Sequence, residues 1–187
     1  DKVYDTMFLD GLEDAYTGRA MGSFAQETAD AHQLTRDAMD RYAIQSLERA
    51  RAAQGSGAFD AEIVPVTFDT RGGPVTVTED EQPLRGKPEK IPTLKPAFKA
   101  DGTITAANSS SISDGAAALV LTTAGEAEAA GITPLARIVA HASHAQTPQT
   151  FTTAPLGAIK SVAERAGWNL ASVDLFEINE AFAAQVL

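Results

Sequence analysis

The sequence predicts an α/β fold, and the region that indicates it best is a strand–helix–strand unit near the carboxyl end. Two apolar runs, 137–141 and 175–178, have the composition of strands. Between them Thr153 and Pro155 open a helix with apolar residues three and four positions apart, and Gly167 ends it. A connection of this length predicts a parallel strand pair with a right-handed crossover.

A second observation that favours this fold class is the apolar run 116–121, the longest in the sequence. Continuous apolar sequence is typical of a strand buried on both faces of a sheet. The residues that follow, 123–130, predict a short helix that ends at Gly131.

The amino-terminal half predicts two helices. From Met21 onward, apolar residues recur at helical spacing. Thr35 is a suitable N-cap for a second helix, which Gly55 and Gly57 end. We expect these helices to be scaffold.

Two strands should follow these helices. The first is predicted at 61–68 and, because Pro65 lacks an N–H, it should be an edge strand or contain a bulge. A turn at 71–73 leads to the second strand at 75–78. The charged, proline-rich residues 79–92 predict irregular structure.

Composition and charge limit the possible partners and chemistry. The chain has 187 residues, with 15 Lys and Arg against 25 Asp and Glu, and its net charge of −10 argues against nucleic acid or an anionic membrane. The sequence contains neither an apolar run long enough to span a membrane nor a basic-then-apolar leader, so we expect a soluble, cytoplasmic protein. Zero cysteines exclude disulfides, thiolate metal sites and a covalent thioester on these residues.

His141 and His144 raise the question of a metal site. Their spacing of three suits a metal on a helix, but the pattern predicts a strand that passes into a loop. No cysteine or nearby carboxylate completes a ligand set, so we expect no metal.

The run 175–184 is the strongest candidate for a functional site. Its first half predicts a strand and its alanine-rich second half predicts the start of a helix. Asn179 and Glu180 lie at this junction, where α/β proteins place their sites. An asparagine here can also serve as a helix cap, and the two roles are compatible.

Four segments together resemble the thiolases, enzymes that cleave or form 3-ketoacyl-CoA by acyl transfer through a cysteine. They are Asp10-Gly11-Leu12, Met21-Gly22, the serine-rich 105–118, and Asn179-Glu180-Ala181-Phe182, in the family's order. The resemblance covers essentially all 187 residues. Thiolases also carry a nucleophilic cysteine before these segments, and a Gly-His-Pro histidine and a second cysteine after them; this sequence has none of the three.

The resemblance therefore implies a partial thiolase-like fold, an internal fragment of the family's chain. We expect an α+β loop domain that binds CoA at 1–112. Residues 113–132 would be the last strand and helix of the amino-terminal thiolase domain. Residues 133–187 would start the carboxyl-terminal domain, so the chain would hold pieces of the two layered sheet domains.

The activity that the resemblance implies is that of an acyl-CoA C-acetyltransferase. It would carry out Claisen condensation or thiolysis of 3-ketoacyl-CoA through an acetyl-cysteine whose nucleophile lies outside this chain. Asn179 would orient the water of an oxyanion hole, and Glu180 would support it. The chain alone is expected to be inactive; the alternative function is a non-catalytic CoA-binding fragment or assembly module.

Coenzyme A or acetyl-CoA would be a substrate, with no further cofactor, in a homotetramer or homodimer. Arg85 is the strongest candidate for the nucleotide end, because a guanidinium meets phosphate with two parallel hydrogen bonds. It belongs to a cluster with Lys87, Lys90, Lys95 and Lys99, which can also be a solvated loop face. The remaining positions that match CoA or acyl contacts are Leu12, Met21, Leu94, Phe98, Ala106, Ser110, Ala181 and Phe182. Of these, Leu12, Leu94 and Phe98 can equally be packing residues.

The segment 102–115 contains Ala106 and Ser110 and has an unusual composition, since seven of its residues are Ser, Thr or Asn. Such a run can offer amides and hydroxyls to an extended polar ligand such as pantetheine. It can equally be a loop that caps its own backbone.

Overall fold

The computed structural model describes residues 2–187, which form two compact units. The first unit contains the described residues up to Phe24 together with Ser111–Asn179. The second contains Ala25–Ser110 together with Glu180–Leu187. The chain thus contributes to the second unit twice, and its last eight residues fold with a segment far away in sequence.

Two helices lie mostly in the second unit, although the first four residues of the earlier helix belong to the first unit. α1, Met21–Ala31, begins at the predicted residue, and α2 spans Arg36–Gly55. Thr35 is the N-cap of α2, as predicted, because its hydroxyl accepts a hydrogen bond from the Ala38 N–H at 3.1 Å. α2 also ends at the predicted Gly55. None of the described helices is both long and apolar enough to span a bilayer.

A small apolar core holds the second unit together. Ala25 and Ala29 are four residues apart in α1, so their side chains lie on the same face of the helix and point into this core. The short terminal helix α6, Ala183–Val186, contributes two alanines. The buried members are Ala25, Ala29, Met39, Ile104, Ala183 and Ala184. Leu34, Tyr42 and Phe182 pack around them and are partly exposed.

The second unit also contains an antiparallel hairpin. β1, Val66–Thr70, pairs with β2, Gly73–Val77, so that the predicted turn is a two-residue loop. The first strand begins later than the predicted 61–68, because Pro65 has no N–H to donate and the hydrogen-bonded ladder starts after it. Gly73 has a φ of 108°, which a side chain would disfavour.

The prediction of irregular structure at 79–92 was wrong. α3 spans Glu81–Arg85, and a 3₁₀-helix spans Pro88–Thr93. The Asp80 carboxylate accepts the Gln82 N–H at 2.9 Å and starts α3. The Asp80 cap thus outweighs the proline content at α3, whereas the 3₁₀-helix has no side-chain cap and begins at Pro88, whose fixed φ suits a first helical position.

The first unit contains the two predicted helices. α4, Ala124–Ala129, starts with a capping box in which Thr123 and Glu126 bind each other's backbone. α5 spans Ala154–Ala166 and ends at Gly167, whose φ of 69° is left-handed. The other helical segments are the π-helical turn Phe8–Leu12 and the 3₁₀-helices Pro148–Thr153 and Leu170–Ser172.

The three strands predicted for the first unit are not formed. Residues 116–121, 137–141 and 175–178 take part in no strand pairing, and within the described residues β1 and β2 make the single sheet. The expected burial of 116–121 was also wrong, since Leu119 is 87% and Val120 is 98% exposed. A strand needs a neighbour to accept and donate its backbone hydrogen bonds, and the described residues supply none here. The predicted parallel pair is therefore absent from residues 2–187.

Candidate functional site

Three of the residues expected to contact acyl-CoA come together in the second unit. The Ser110 N–H donates to the Ala181 carbonyl at 2.9 Å, and the Ser110 hydroxyl donates to the same oxygen at 3.3 Å. Ser109 and Phe182 form an antiparallel bridge beside this contact. The serine-rich loop and the segment 180–182 therefore run side by side as a short pair of extended chains.

Glu180 is held at both carboxylate oxygens by hydroxyl groups of α2. The Tyr42 hydroxyl donates to Oε1 at 2.6 Å, and the Ser46 hydroxyl donates to Oε2 at 2.6 Å. Residues four apart lie on one face of a helix, so α2 presents both donors in the same direction. A distance of 2.6 Å is typical of a hydroxyl bonded to an ionised carboxylate.

Asn179 precedes Glu180 and belongs to the first unit, where its side chain is exposed. Its alternative role as a helix cap is wrong, because α6 begins only at Ala183. The N-cap of that helix is Phe182, which makes no side-chain capping bond. The asparagine is therefore not needed to start the helix.

The serine-rich loop caps its own backbone, which is one of the two roles left open by the sequence. The Thr105 N–H donates to Asn108 Oδ1 at 2.7 Å, and the Ser109 hydroxyl donates to the Thr105 carbonyl at 2.7 Å. Thr105 and Asn108 are almost fully buried. Ala106 and Ser110 remain exposed, so the interior of the loop is buried and hydrogen-bonded, whereas these two positions face solvent.

A buried polar network ties this loop to the start of α2. Asn108 Nδ2 donates to Asp40 Oδ1 at 3.1 Å, and Arg36 Nε donates to Asp40 Oδ2 at 2.6 Å. Arg36 also donates to the carbonyl oxygens of Ile91 and Leu94 at 3.0 and 2.9 Å. Sequence reasoning missed Asp40 and Asn108. The available signal was a basic and an acidic residue four positions apart at the start of a helix.

Arg85 is the last residue of α3 and is 70% exposed. Its guanidinium lies 2.6 Å from the Glu81 carboxylate, one helical turn earlier. Arg51 of α2 fixes the backbone around it, donating to the carbonyl oxygens of Pro83 and Gly86, both at 2.7 Å. The backbone on both sides of Arg85 is therefore hydrogen-bonded to α2, while the guanidinium of Arg85 is in solvent.

The other apolar candidates lie at the edge of the packed regions. In the second unit Leu94 is 36% and Phe98 is 38% exposed, so neither belongs to the buried core. In the first unit Leu12 ends the π-helical turn and Met21 begins α1, and both are partly buried. The second unit therefore brings together Ser110, Ala181 and Phe182, whereas Leu12, Met21 and Asn179 belong to the first unit.

Lys99 of the cationic cluster already has an acidic partner. Its ammonium donates to Asp30 Oδ2 at 3.0 Å, and this hydrogen bond lowers the pKa of Asp30 and raises the pKa of Lys99. Gln26 of α1 binds the chain shortly after Lys99, because its Oε1 accepts the N–H groups of Thr103 and Ile104 at 2.8 and 3.0 Å. This lysine therefore links α1 to the turn after Phe98.

The contacts of the two histidines considered for a metal differ, since that of His141 is made by its main chain and that of His144 by its ring. The His141 carbonyl accepts a hydrogen bond from Arg165 at 2.7 Å. The His144 ring packs on Gly157 of α5 so closely that a Cβ there would lie 2.5 Å from it. Within residues 2–187 no three or more His, Cys, Asp or Glu side chains are grouped to hold a metal ion.

Comparison with known proteins places the whole sequence in one family. The model of the thiolase N-terminal domain matches residues 1–125, and that of the thiolase C-terminal domain matches residues 132–187. The probable acetyl-CoA acetyltransferase of Dictyostelium discoideum is 48% identical over 96% of this chain, and the acetyl-CoA acetyltransferase of Rhizobium meliloti (strain 1021) is 47% identical over 98% of it. These alignments cover 44% and 47% of the two relatives, so the chain spans about half their length.

Solved structures of thiolases are also similar to this chain. The Bacillus anthracis acetyl-CoA acetyltransferase superposes with a TM-score of 0.95 at 39% identity, covering 100% of this chain and 47% of that one. Human mitochondrial 3-ketoacyl-CoA thiolase gives a TM-score of 0.91 at 35% identity, with 99% and 47% covered. The predicted partial thiolase-like α/β fold is therefore confirmed, and the chain belongs to the thiolase family.

Proposed function

We propose that this chain is the CoA-binding and oxyanion-supporting part of an acetyl-CoA C-acetyltransferase. The observation that carries the proposal is the pairing of the 180–182 segment with the serine-rich loop through Ser110 and Ala181. This pairing puts the positions expected to border the acyl group beside those expected to contact pantetheine. An extended polar ligand can lie along such a pair of chains.

The reaction we propose needs a cysteine, and these 187 residues contain none. In thiolysis that cysteine would attack the keto carbon of acetoacetyl-CoA, release acetyl-CoA and retain an acetyl group, which the thiol of a second CoA removes. In condensation the enolate of acetyl-CoA attacks the acetyl-cysteine. Both directions place negative charge on a carbonyl oxygen, and each hydrogen-bond donor held in place for it can contribute about 3 kcal/mol.

Within that scheme Asn179 would orient the water that serves the oxyanion hole. Glu180 would support it, and Ala181 and Phe182 would border the acyl group. Leu12 would line the CoA channel and Met21 would lie against the acyl group. Leu94 and Phe98 would wall the adenine and pantetheine, and Ala106 and Ser110 would contact CoA. These roles follow from the family's motif and are proposals for this chain.

Arg85 would meet the phosphates of CoA, and Arg41 offers a matched control for it. Both are exposed arginines, 70% and 69%, and each pairs with an acid four residues earlier in a helix, Glu81 and Asp37 respectively. We expect Arg85→Ala to weaken CoA binding at least about tenfold, because a hydrogen bond to a charged group contributes about 1.5–3 kcal/mol. Arg41→Ala should leave the affinity unchanged. Neither variant should alter binding of pantetheine, which has no nucleotide.

The proposal is tested by titration calorimetry and by an activity assay. We expect the 187-residue chain to bind CoA and to show no thiolysis of acetoacetyl-CoA. A hybrid in which this chain replaces the matched segment of the Rhizobium meliloti relative should restore thiolysis, because the relative then supplies the missing segments. A hybrid that assembles and binds CoA without turnover would contradict the catalytic role.

The absence of cysteine supports a second candidate, a CoA-binding fragment or assembly module without catalysis. It shares the CoA site with the first candidate and differs in turnover. Binding by the chain together with an inactive hybrid would favour it. Thiolysis by the chain itself would contradict both candidates, since no acetyl-cysteine can form on it.

Three further properties are proposed on the same basis. The loop domain would be 1–112, the end of the amino-terminal domain 113–132 and the start of the carboxyl-terminal domain 133–187. The protein would be a homotetramer or homodimer. It would act in the cytoplasm; the mitochondrial acetyl-CoA acetyltransferase of Macaca fascicularis, 46% identical, makes the mitochondrion the alternative to test by cell fractionation.

A further inference from the structure

The Glu180 carboxylate is fixed more firmly than an exposed glutamate usually is. A free glutamate side chain retains rotamer freedom that costs about 1.5–2 kcal/mol to remove. Here both oxygens accept short hydroxyl bonds, at 2.6 Å each, from Tyr42 and Ser46. Two donors on two different oxygens leave the carboxylate a single orientation.

The donors themselves have little freedom. Thr35 caps α2 at its start, and Arg36 and Asp40 tie that end of the helix to the serine-rich loop. The Tyr42 ring packs against the apolar core, together with Phe182. The hydroxyl of Tyr42 is therefore carried by a ring that the core holds in place.

The main chain that follows Glu180 is hydrogen-bonded to the serine-rich loop. The Ala181 carbonyl accepts the Ser110 N–H at 2.9 Å, and the Ala183 N–H donates to the Asn108 carbonyl at 2.9 Å. The segment is thus held by side-chain bonds to α2 and by backbone bonds to the serine-rich loop. Removing either set would allow the segment to rotate or shift along the other.

We propose that Tyr42 and Ser46 are positioning residues that clamp the Glu180 carboxylate and thereby hold the 180–182 segment against Ser110. The consequence for catalysis rests on the proposed function. The clamp orients the acyl end of the site, whereas Arg85 is mounted on a separate turn held by Arg51. Loss of the clamp should therefore lower kcat and leave the KM for CoA unchanged.

Hydrogen exchange of the 187-residue chain tests the clamp without CoA or turnover. The combined variant Tyr42→Phe with Ser46→Ala should raise exchange in the peptide 181–187 at least about tenfold, because two charge-assisted bonds are lost, although solvent weakens both. Ser46→Thr keeps a hydroxyl and should restore protection when compared with Ser46→Ala. Tyr16→Phe and Ser56→Ala remove the same kinds of hydroxyl in other parts of the chain. As matched controls, they should leave exchange in the peptide 181–187 unchanged. Unchanged exchange in 181–187, or a uniform rise across α1 and α2, overturns the proposal.

A mutant cycle in the hybrid enzyme separates positioning from general stability. If the two hydroxyls act through Glu180, then removing them should cost at least about fivefold in kcat in the native background and less than about twofold in a Glu180→Gln background. Equal losses in both backgrounds overturn the clamp. An inactive native hybrid refutes the proposed function, and the exchange experiment still decides the clamp.

Discussion

The buried side chain of Asn108 leads to the most specific stability prediction. It is 2% exposed and makes bonds in three directions. Its Nδ2 donates to Asp40 Oδ1 at 3.1 Å and to the Thr103 carbonyl at 3.0 Å, and its Oδ1 accepts the Thr105 N–H at 2.7 Å. Asn108→Ala removes all of these at once.

The expected loss follows from the partners left behind. A hydrogen bond contributes about 1 kcal/mol net, and a buried group left without its partner costs about 1–3 kcal/mol. Asp40 is 4% exposed and retains its bond to Arg36, so its charge stays partly compensated. Three lost hydrogen bonds and the buried groups left without partners together lower the free energy of unfolding by about 3–5 kcal/mol. This is a large share of the roughly 5–15 kcal/mol that stabilises a typical domain.

Native-state hydrogen exchange in urea measures this free energy locally. We expect the opening free energy of the α2 amides to fall by about 3–5 kcal/mol in Asn108→Ala. Asn169→Ala is the matched control, because Asn169 is exposed and makes a single capping bond to the Ala171 N–H in the first unit. It should change α2 by less than about 0.5 kcal/mol. A loss below about 1 kcal/mol in Asn108→Ala would refute the view that this network holds the loop to α2.

Three further predictions concern single contacts. Because the Lys99 ammonium lowers the pKa of Asp30, their ion pair should stabilise the chain above the ordinary aspartate pKa of about 4. That stabilisation should decline as the pH falls below this value and be lost once the pH passes the lowered pKa of Asp30, so the difference between the urea midpoints of native and Asp30→Asn proteins should shrink steadily with falling pH. Gly86→Ala should destabilise by about 1–3 kcal/mol, because its Cβ would lie 2.7 Å from a Leu47 methyl. In urea unfolding, adding Leu47→Ala to this variant should cost less than it does in the native chain. Gly167→Ala should cost about 1 kcal/mol because its φ is 69°, and circular dichroism during urea unfolding should show a lower midpoint.

Helix boundaries could be predicted from the sequence because the groups that set them are neighbours along the chain. Thr35 caps α2 through the N–H of Ala38, and Gly167 ends α5 through its own backbone freedom. These interactions reach three or four residues, so a local pattern contains all the information they need. The cap of α3 is local in the same way, because the Asp80 carboxylate accepts the N–H of Gln82 two residues later.

Strands could not be predicted this way, because a strand is completed by a partner elsewhere. The run 116–121 has strand composition, yet it pairs with nothing in residues 2–187. The hairpin of β1 and β2 does form, since its two halves are joined by a two-residue loop and supply each other's hydrogen bonds. Composition indicates which residues favour a strand, whereas pairing decides whether one forms.

By itself, the sequence determined the family, the four longer helices α1, α2, α4 and α5, and the candidate residues Asn179, Glu180 and Ser110, because motifs and caps are local patterns. Only the tertiary structure decided what surrounds them. Tyr42 and Ser46 reach Glu180 across 138 and 134 positions. Such a contact depends on the packing of α2 and the terminal segment on a common core, and no spacing in the sequence encodes that packing. The residues that hold a site in place are therefore visible only once the chain has folded.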